Sequence, residues 1–335
     1  MKNLLYVLLA IGLAILCWGL YGPLLRWGGD AMDQSHWLPF LFVGIAYFLF
    51  AVLATGALLA MRGEPGKWTV GGVLWGLAAG AAGAVGALGV ILAMTNGGSP
   101  IYVMPLVFGG APVINTLVSM WATKDRKEAG PLFYAGLILV IAGAAIVLIK
   151  NPAGSGAREI SAGDLAIVLV FVAMTILSWG IYGPLLHQGQ TRMQGSRLRP
   201  FFCVGVAYFV IAVILPLVLR ATTHDRGDIT LAGTLWSLAG GAAGAMGAMG
   251  IILAFTFGGK PVYVMPLVFG GAPVVSTLVS ILNARNLGEI SPFFYAGLIV
   301  VIAGAVTVLI FAPRGQPHKP AESQPAPPSP EPAKT

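Results

Sequence analysis

The second half of this 335-residue chain repeats the first half at a constant spacing. Residues 18–149 align with residues 179–310, an offset of 161 positions, without a gap. Between Gly97 and Val113, 15 of the 17 positions are identical to those between Gly258 and Val274. Any architecture for this chain must therefore place the same set of segments twice, once in each half.

Each repeat contains five long apolar segments, too hydrophobic for a water-soluble domain. Hydrophobic residues make up 57% of the chain and charged residues 9%, against about 25% charged in ordinary soluble domains. A helix of about 20 apolar residues crosses the hydrocarbon core of a bilayer. We therefore predict an all-α integral membrane protein with ten transmembrane helices. The predicted spans are 4–25, 37–61, 69–95, 101–122, 131–149, 164–186, 201–220, 230–256, 262–283 and 292–312.

An odd number of spans in each repeat makes the second copy enter the membrane from the opposite side, which gives an inverted 5+5 repeat. The basic residues agree with this inversion. The connection after the first span has one basic residue in copy one, Arg26, and three in copy two: Arg192, Arg197 and Arg199. Since Lys and Arg collect on the cytoplasmic side, we predict that both termini are cytoplasmic.

The predicted organisation has four parts: a first five-span repeat (1–150), a linker (151–163), a second five-span repeat (164–312) and a disordered Pro-rich cytoplasmic tail (313–335).

The net charge of +7 is explained by the cytoplasmic connections, so no nucleic-acid partner is expected. Cys17 and Cys203 both lie in apolar segments and indicate neither a disulfide framework nor a zinc site.

None of the predicted spans has an Asp, Glu, Lys, Arg or His near its middle. A charge at the centre of the bilayer costs about 2.5–3.5 kcal/mol and usually marks a proton relay or a counter-ion. The four histidines lie in connections or in the tail, and no group of residues has metal-ligand spacing. We therefore expect no catalytic residues, no metal, no cofactor and no enzyme activity.

The fourth span of each copy carries polar and aromatic residues on one helical face. This face predicts the lining of a substrate path, and packing around a proline kink is the alternative. The candidate lining residues are Phe108, Asn115 and Ser119 in copy one and Phe269, Ser276 and Ser280 in copy two. The candidate hinge positions are Pro105, Pro112, Pro266 and Pro273, which weaken the helical hydrogen-bond ladder.

The first span of each copy ends in a Trp-Gly-x-Tyr-Gly-Pro motif. One interpretation is an aromatic wall or gate with a hinge at the proline, and the other is an interfacial belt. The motif residues are Trp18, Tyr21 and Pro23 in copy one and Trp179, Tyr182 and Pro184 in copy two. Tyr47 and Tyr208, in the second spans, fit a cavity, a core or an interface equally well.

The third spans are rich in glycine, which lets helices pack closely in lipid. We predict a packing role for these glycines, with direct substrate contact as the alternative. The positions are Gly76, Gly80 and Gly83 in copy one and Gly240, Gly244 and Gly247 in copy two.

Several of these motifs together resemble the EamA-like unit of the drug/metabolite transporter superfamily in its ten-span form. They are the Trp-Gly of the first span, the Pro-Val pair of the fourth (Pro112-Val113, Pro273-Val274) and the paired glycines of the fifth (Gly136 to Gly143, Gly297 to Gly304). The resemblance covers about residues 4–312. It implies secondary transport of small organic molecules by alternating access, in a multi-pass protein of a bacterial cytoplasmic membrane.

The chain also departs from this family pattern. Many relatives have a Lys near the end of the first span and an Arg in the second, whereas here the second span has no basic residue before Arg62. The usual Gly-Glu-Arg turn after the fourth span is replaced at residues 124–128 and 285–289. A family role for those basic residues does not carry over to this chain.

From the uncharged spans we expect a permease for a small neutral polar metabolite that resembles a sugar or a nucleoside. Export of amino acids, lipophilic drugs or lipids is the first alternative. A non-transporting membrane sensor or assembly module is an alternative of another class. The expected partners are a small-molecule substrate and the lipid bilayer, and assembly as a homodimer is left open.

Overall fold

The structure is a computed structural model that describes residues 2–33, 35–123, 130–149, 161–222, 227–259, 261–284 and 291–311. This part of the chain is helical and contains no strand. Seven of its helices are long and apolar enough to cross a membrane, and three further helices contain shorter apolar stretches at Pro131–Ala144, Leu267–Asn283 and Pro292–Val308. The expected all-helical, multi-pass membrane protein is confirmed. Most of the predicted linker and the tail lie outside the described residues.

The helices follow one another in the order expected from the apolar segments. They are α1 Lys2–Asp30, α2 Leu38–Tyr47, π1 Phe48–Ala54, α3 Thr55–Arg62, α4 Val70–Thr95, α5 Pro100–Thr123, α6 Pro131–Ile149, α7 Ala162–Arg192, α8 Leu198–Phe209, π2 Val210–Ile214, α9 Leu215–Thr222, α10 Leu231–Thr256, α11 Pro261–Ala284 and α12 Pro292–Phe311. The segments π1 and π2 are π-helical and continue the helices on either side of them.

Helix ends are encoded locally and in the same way in both halves. Helices α5, α6, α11 and α12 each begin with proline, whose missing N–H is unneeded in a first turn. After α4, Gly97 adopts φ 98°, and Gly98 N donates to Ala93 O at 2.8 Å. After α10, Gly258 adopts φ 94°, and Gly259 N donates to Ala254 O at 2.8 Å. Only glycine adopts this left-handed turn without strain, so both ends are fixed by sequence.

The two halves of the chain interlock. Helix α1 packs along α10 and α11, while α4 and α5 pack along α7. Helix α6 packs mainly against α12. Helix α4 also packs against α8, just as α10 packs against α2. Since most large interfaces join one half to the other, the space at the centre of the molecule is bounded by both.

The π-helical segments lie where the second segments of the two halves cross. A methyl group built on Gly44 would lie 2.7 Å from the backbone carbon of Ala212 in π2. A methyl group built on Gly205 would lie 2.7 Å from Cβ of Ala51 in π1. A π-turn adds one residue to a helical turn and often marks a functional position. Here π1 begins directly after Tyr47 and π2 begins two residues after Tyr208, and both tyrosines line the central cavity described below.

One polar cluster joins the connection after α3 to the start of α8. The Glu64 carboxylate accepts hydrogen bonds from Arg197 N at 2.9 Å and Leu198 N at 3.2 Å, and from the Ser196 hydroxyl. Arg199 lies 3.7 Å from the same carboxylate and donates to Glu64 O at 3.0 Å. Glu64 thus caps a helix of the other half of the chain and ties the two halves together at this end.

We expect Glu64→Ala to lower the free energy of unfolding by about 1–2 kcal/mol, as loss of a helix cap usually does. The measurement is thermal unfolding of the purified protein in detergent. Lys67→Ala is the matched control, because Lys67 is exposed in the same connection. Equal melting temperatures for the two variants would contradict the capping role.

Candidate functional site

A cavity of about 100 Å³ lies at the centre of the molecule, between the two halves. Its walls are mainly aromatic side chains. The lining residues are Trp18, Tyr21, Tyr47, Gly83, Phe108, Ala111, Trp179, Tyr182, Val204, Tyr208, Gly244, Ala248 and Phe269. Ten of them form five pairs at the offset of 161, so each half contributes the same wall once.

Helices α1 and α7 supply the tryptophan and tyrosine pairs of the cavity. The Trp-Gly-x-Tyr-Gly-Pro motif lies inside helices of 29 and 31 residues, which run on to Asp30 and Arg192. The predicted end of the first span at residue 25 was therefore too early. Spacing of three residues puts Trp18 and Tyr21, like Trp179 and Tyr182, on one face and one turn apart. In this structure those faces turn toward the cavity.

Both tryptophans are fixed by hydrogen bonds to the other half of the chain. Trp18 Nε1 donates to Gly244 O at 3.1 Å, and Trp179 Nε1 donates to Gly83 O at 3.1 Å. The glycines allow the indole rings to reach the backbone of α10 and α4. These two hydrogen bonds orient the indole rings and also occupy their N–H groups.

Tyr47 and Tyr208 lie face to face where α2 and α8 meet. Their ring centroids are 3.8 Å apart, and the planes are inclined by 5°. The two residues are equivalent at the offset of 161, so the pair contributes one side chain from each half. The sequence fits a cavity, a core or an interface for both tyrosines, and the structure places both in the cavity wall.

Phe108 and Phe269 complete the aromatic wall. Their centroids are 6.0 Å apart, and Phe108 lies 6.3 Å from both Trp18 and Trp179. Trp18 also contacts Phe269 edge-on at 5.8 Å. Trp18 stacks on Phe108 with an interplanar angle of 27°, and Phe108 meets Phe269 edge-on, two geometries that aromatic pairs prefer. The rings form a connected cluster from α1, α5, α7 and α11.

The cavity offers neutral hydrogen-bonding groups and no formal charge among its lining residues. Because the indole N–H groups already have partners, the main polar side-chain groups of the lining are the hydroxyls of four tyrosines. These belong to Tyr21, Tyr47, Tyr182 and Tyr208. Within the described part of the chain, no group of three or more His, Cys, Asp or Glu could hold a metal ion. The arrangement suits stacking on rings with a few hydroxyl contacts.

Six of the ten candidate lining residues meet in this cavity: Trp18, Tyr21, Phe108, Trp179, Tyr182 and Phe269. The polar candidates of the fourth spans lie outside its lining. Ser276 is fully buried, and Asn115 lies against Gly183. The hydroxyl of Ser280 is buried without a hydrogen-bond partner in the described structure, and the side chain of Ser119 lies outside the described residues.

The candidate hinge prolines lie inside continuous helices. Pro23 is in α1, Pro184 in α7, and Pro105 and Pro112 in α5. Pro273 is buried in α11, and the side chain of Pro266 lies outside the described residues. Pro112 O accepts a hydrogen bond from Thr116 Oγ1 at 2.9 Å, so this carbonyl has a side-chain partner.

The glycines of the third spans divide between packing and the cavity. A methyl group on Gly76 would lie 2.8 Å from Cβ of Cys203, and one on Gly80 2.7 Å from Cα of Val204. Gly240 faces Leu25, and Gly247 faces the Trp18 ring. Gly83 and Gly244 instead line the cavity and accept the tryptophan hydrogen bonds. Sequence spacing alone gave no signal for these backbone acceptors.

Comparison with known proteins shows a fold relationship. No protein-family model and no curated protein matches the chain. A solved structure described only as "Crystal structure of protein" superposes with a TM-score of 0.57 at 18% sequence identity. The match covers 91% of this chain and 97% of the other. At this identity the similarity supports a shared fold over nearly the whole length of both chains.

Proposed function

We propose that the protein is a ten-span secondary transporter of the drug/metabolite type, built from two inverted five-helix repeats with cytoplasmic termini. The observation that carries this proposal is the central cavity, whose walls come in matched pairs from the two halves. A cavity at the interface of two repeats is where transporters with internal symmetry bind their substrates. Rocking of one half against the other would then open the cavity to each side in turn.

The proposed substrate is a small neutral polar metabolite, such as a sugar or a nucleoside. The charge-free lining disfavours ions, since burying an unpaired charge is costly. Aromatic faces suit the apolar face of a ring, and the tyrosine hydroxyls suit hydroxyl groups on its edge. The volume of about 100 Å³ lies below the roughly 300–1,000 Å³ of sites for drug-sized ligands, which favours a compact solute.

A thermal-shift screen followed by flux measurement tests the proposal. The panel contains D-glucose, D-ribose, uridine, neutral amino acids and lipophilic dyes. A compound that binds the folded state raises the melting temperature. We expect a shift with a sugar or nucleoside and uptake of the same compound, radiolabelled, into proteoliposomes.

Phe108→Ala is the matched variant, because it removes the ring that contacts both tryptophans. We expect it to abolish both the shift and the uptake while the protein remains monodisperse. Binding without flux in the unmodified protein would favour the sensor or assembly module instead. A shift with lipophilic dyes alone would contradict the proposed substrate class.

A further inference from the structure

The two glycines of the repeated motif, Gly22 in α1 and Gly183 in α7, have different surroundings although they are equivalent in sequence. A methyl group on Gly22 would lie 2.5 Å from Cγ and 2.9 Å from Sδ of Met104. At Gly183, the atoms within 4 Å that belong to the described part of the chain are those of Asn115. Met104 is fully buried, whereas its equivalent Met265 is only half-buried. Met104 thus lies against the motif glycine in one half, whereas Asn115 lies against it in the other.

The same difference extends along both helices. Tyr21 is 4% exposed and Leu25 3%, while their equivalents Tyr182 and Leu186 are half-buried. Side chains at the end of α1 are therefore more deeply buried than their equivalents at the end of α7.

Arg26 stabilises this more deeply buried end. Its Nη1 donates to Met94 O at 3.0 Å and Gly98 O at 3.1 Å, and its Nε lies 3.0 Å from the Asp30 carboxylate. The two bonds from Nη1 join the end of α1 to the end of α4 and the turn that follows it. The equivalent of Arg26 in the second half is His187, which is exposed. The two ends thus differ in side-chain chemistry as well as in burial.

A neutral polar side chain stands beside each motif glycine. The Ser276 hydroxyl lies 3.4 Å from the Cβ position of Gly22, and the Asn115 amide faces Gly183. Ser276 and Asn115 are equivalent at the offset of 161. The Ser276 hydroxyl is buried without a hydrogen-bond partner in the described structure, a state that costs free energy. Opening of this end would expose the hydroxyl and relieve the cost.

We infer that Asn115 and Ser276 form two polar subsites for a hydroxyl-bearing neutral solute, one on each side of the aromatic cavity. Met104 and Met265 cover the subsites in turn, so that one is exposed while the other is closed. The inference rests on the proposed transport function and adds the residues that contact the solute on its way in and out. In this structure the Asn115 subsite is uncovered and the Ser276 subsite is closed.

Single cysteines test the alternate exposure. In a background with Cys17→Ser and Cys203→Ser, Asn115→Cys and Ser276→Cys are reacted with a membrane-impermeant maleimide in right-side-out and inside-out vesicles. We expect the two positions to be labelled from opposite faces of the membrane. Labelling of both from the same face would overturn the inference.

Met104→Ala, combined with Ser276→Cys, tests whether Met104 shields position 276 from the maleimide. We expect labelling at this cysteine to rise about tenfold, because shortening a buried methionine destabilises the conformation that buries it. If Met104→Ala lowers the yield of folded protein, Met104→Val serves as the second variant. Met61→Ala is the control, since Met61 is 82% exposed, and it should leave labelling unchanged. Unchanged labelling with both Met104 variants would overturn the cover.

Asn115→Ala and Ser276→Ala test the solute contacts. In proteoliposomes, we expect each variant to raise the half-saturation concentration for the sugar or nucleoside found in the screen by about tenfold. Unchanged half-saturation in both would overturn the subsites while leaving transport itself intact. Absence of flux in the unmodified protein, with cysteines still labelled from opposite faces, would instead contradict the proposed function.

Discussion

Replacing Gly143 with valine is expected to destabilise the folded protein strongly. A methyl group at this position in α6 would lie 2.5 Å from Val301 N and 2.9 Å from Gly297 O. Both are backbone atoms of α12, so only separation of the two helices makes room. Overpacking usually costs about 1–3 kcal/mol, and we expect at least the upper end of that range.

The expected loss follows from how helices associate in lipid. Between apolar helices in a bilayer, close van der Waals packing replaces the hydrophobic driving force that acts in water. The partner position shows the same contact, since a methyl on Gly304 would lie 2.6 Å from Val140 N. Every ångström of separation along this seam removes favourable backbone contacts on both helices.

Gly12→Val supplies the matched comparison. Gly12 lies in the apolar helix α1, and a methyl group there would meet no atom within 4 Å. Thermal unfolding in detergent should give a melting temperature close to that of the unmodified protein for Gly12→Val and a much lower one for Gly143→Val. Similar melting temperatures for the two variants would show that the α6–α12 seam is less tight than the geometry implies.

The aromatic half of the candidate site could be predicted from sequence because it depends on local periodicity and on the duplication. Trp18 and Tyr21 share a face by their spacing, and the offset of 161 assigns the same face to Trp179 and Tyr182. The acceptors of the tryptophan hydrogen bonds could not be predicted in this way. Gly244 O serves Trp18 across 226 positions, a pairing set by which helices pack together rather than by any local pattern.

The difference in side-chain burial between the two halves could not be predicted from the sequence either. Met104 and Met265 occupy identical local sequences, Tyr-Val-Met-Pro-Leu-Val-Phe, and any pattern argument gives them the same surroundings. One is fully buried and the other is not, since a single conformation of two nearly equal halves need not be symmetric. The helical-face argument therefore grouped Asn115 and Ser276 in one central lining, whereas the structure places each beside a different motif glycine.

Replacing Gly247 with alanine is expected to weaken solute binding strongly. A methyl group at this position in α10 would overlap the Trp18 ring at Cδ1 and Nε1. The ring would have to turn away, which breaks its hydrogen bond to Gly244 O and moves a wall of the cavity. We expect uptake into proteoliposomes to fall at least about tenfold, equivalent to about 1.4 kcal/mol.

The equivalent change Gly86→Ala should act in the same way through Trp179, because a methyl on Gly86 would overlap that ring. Gly29→Ala is the control, as a methyl group there would meet no atom within 4 Å. Melting temperatures with and without solute separate the two effects: the solute-induced shift should vanish in Gly247→Ala and Gly86→Ala and persist in Gly29→Ala. The Gly247→Ala substitution must displace the Trp18 ring. If the solute still raises the melting temperature of this variant by the full amount, the Trp18 ring is not part of the solute site.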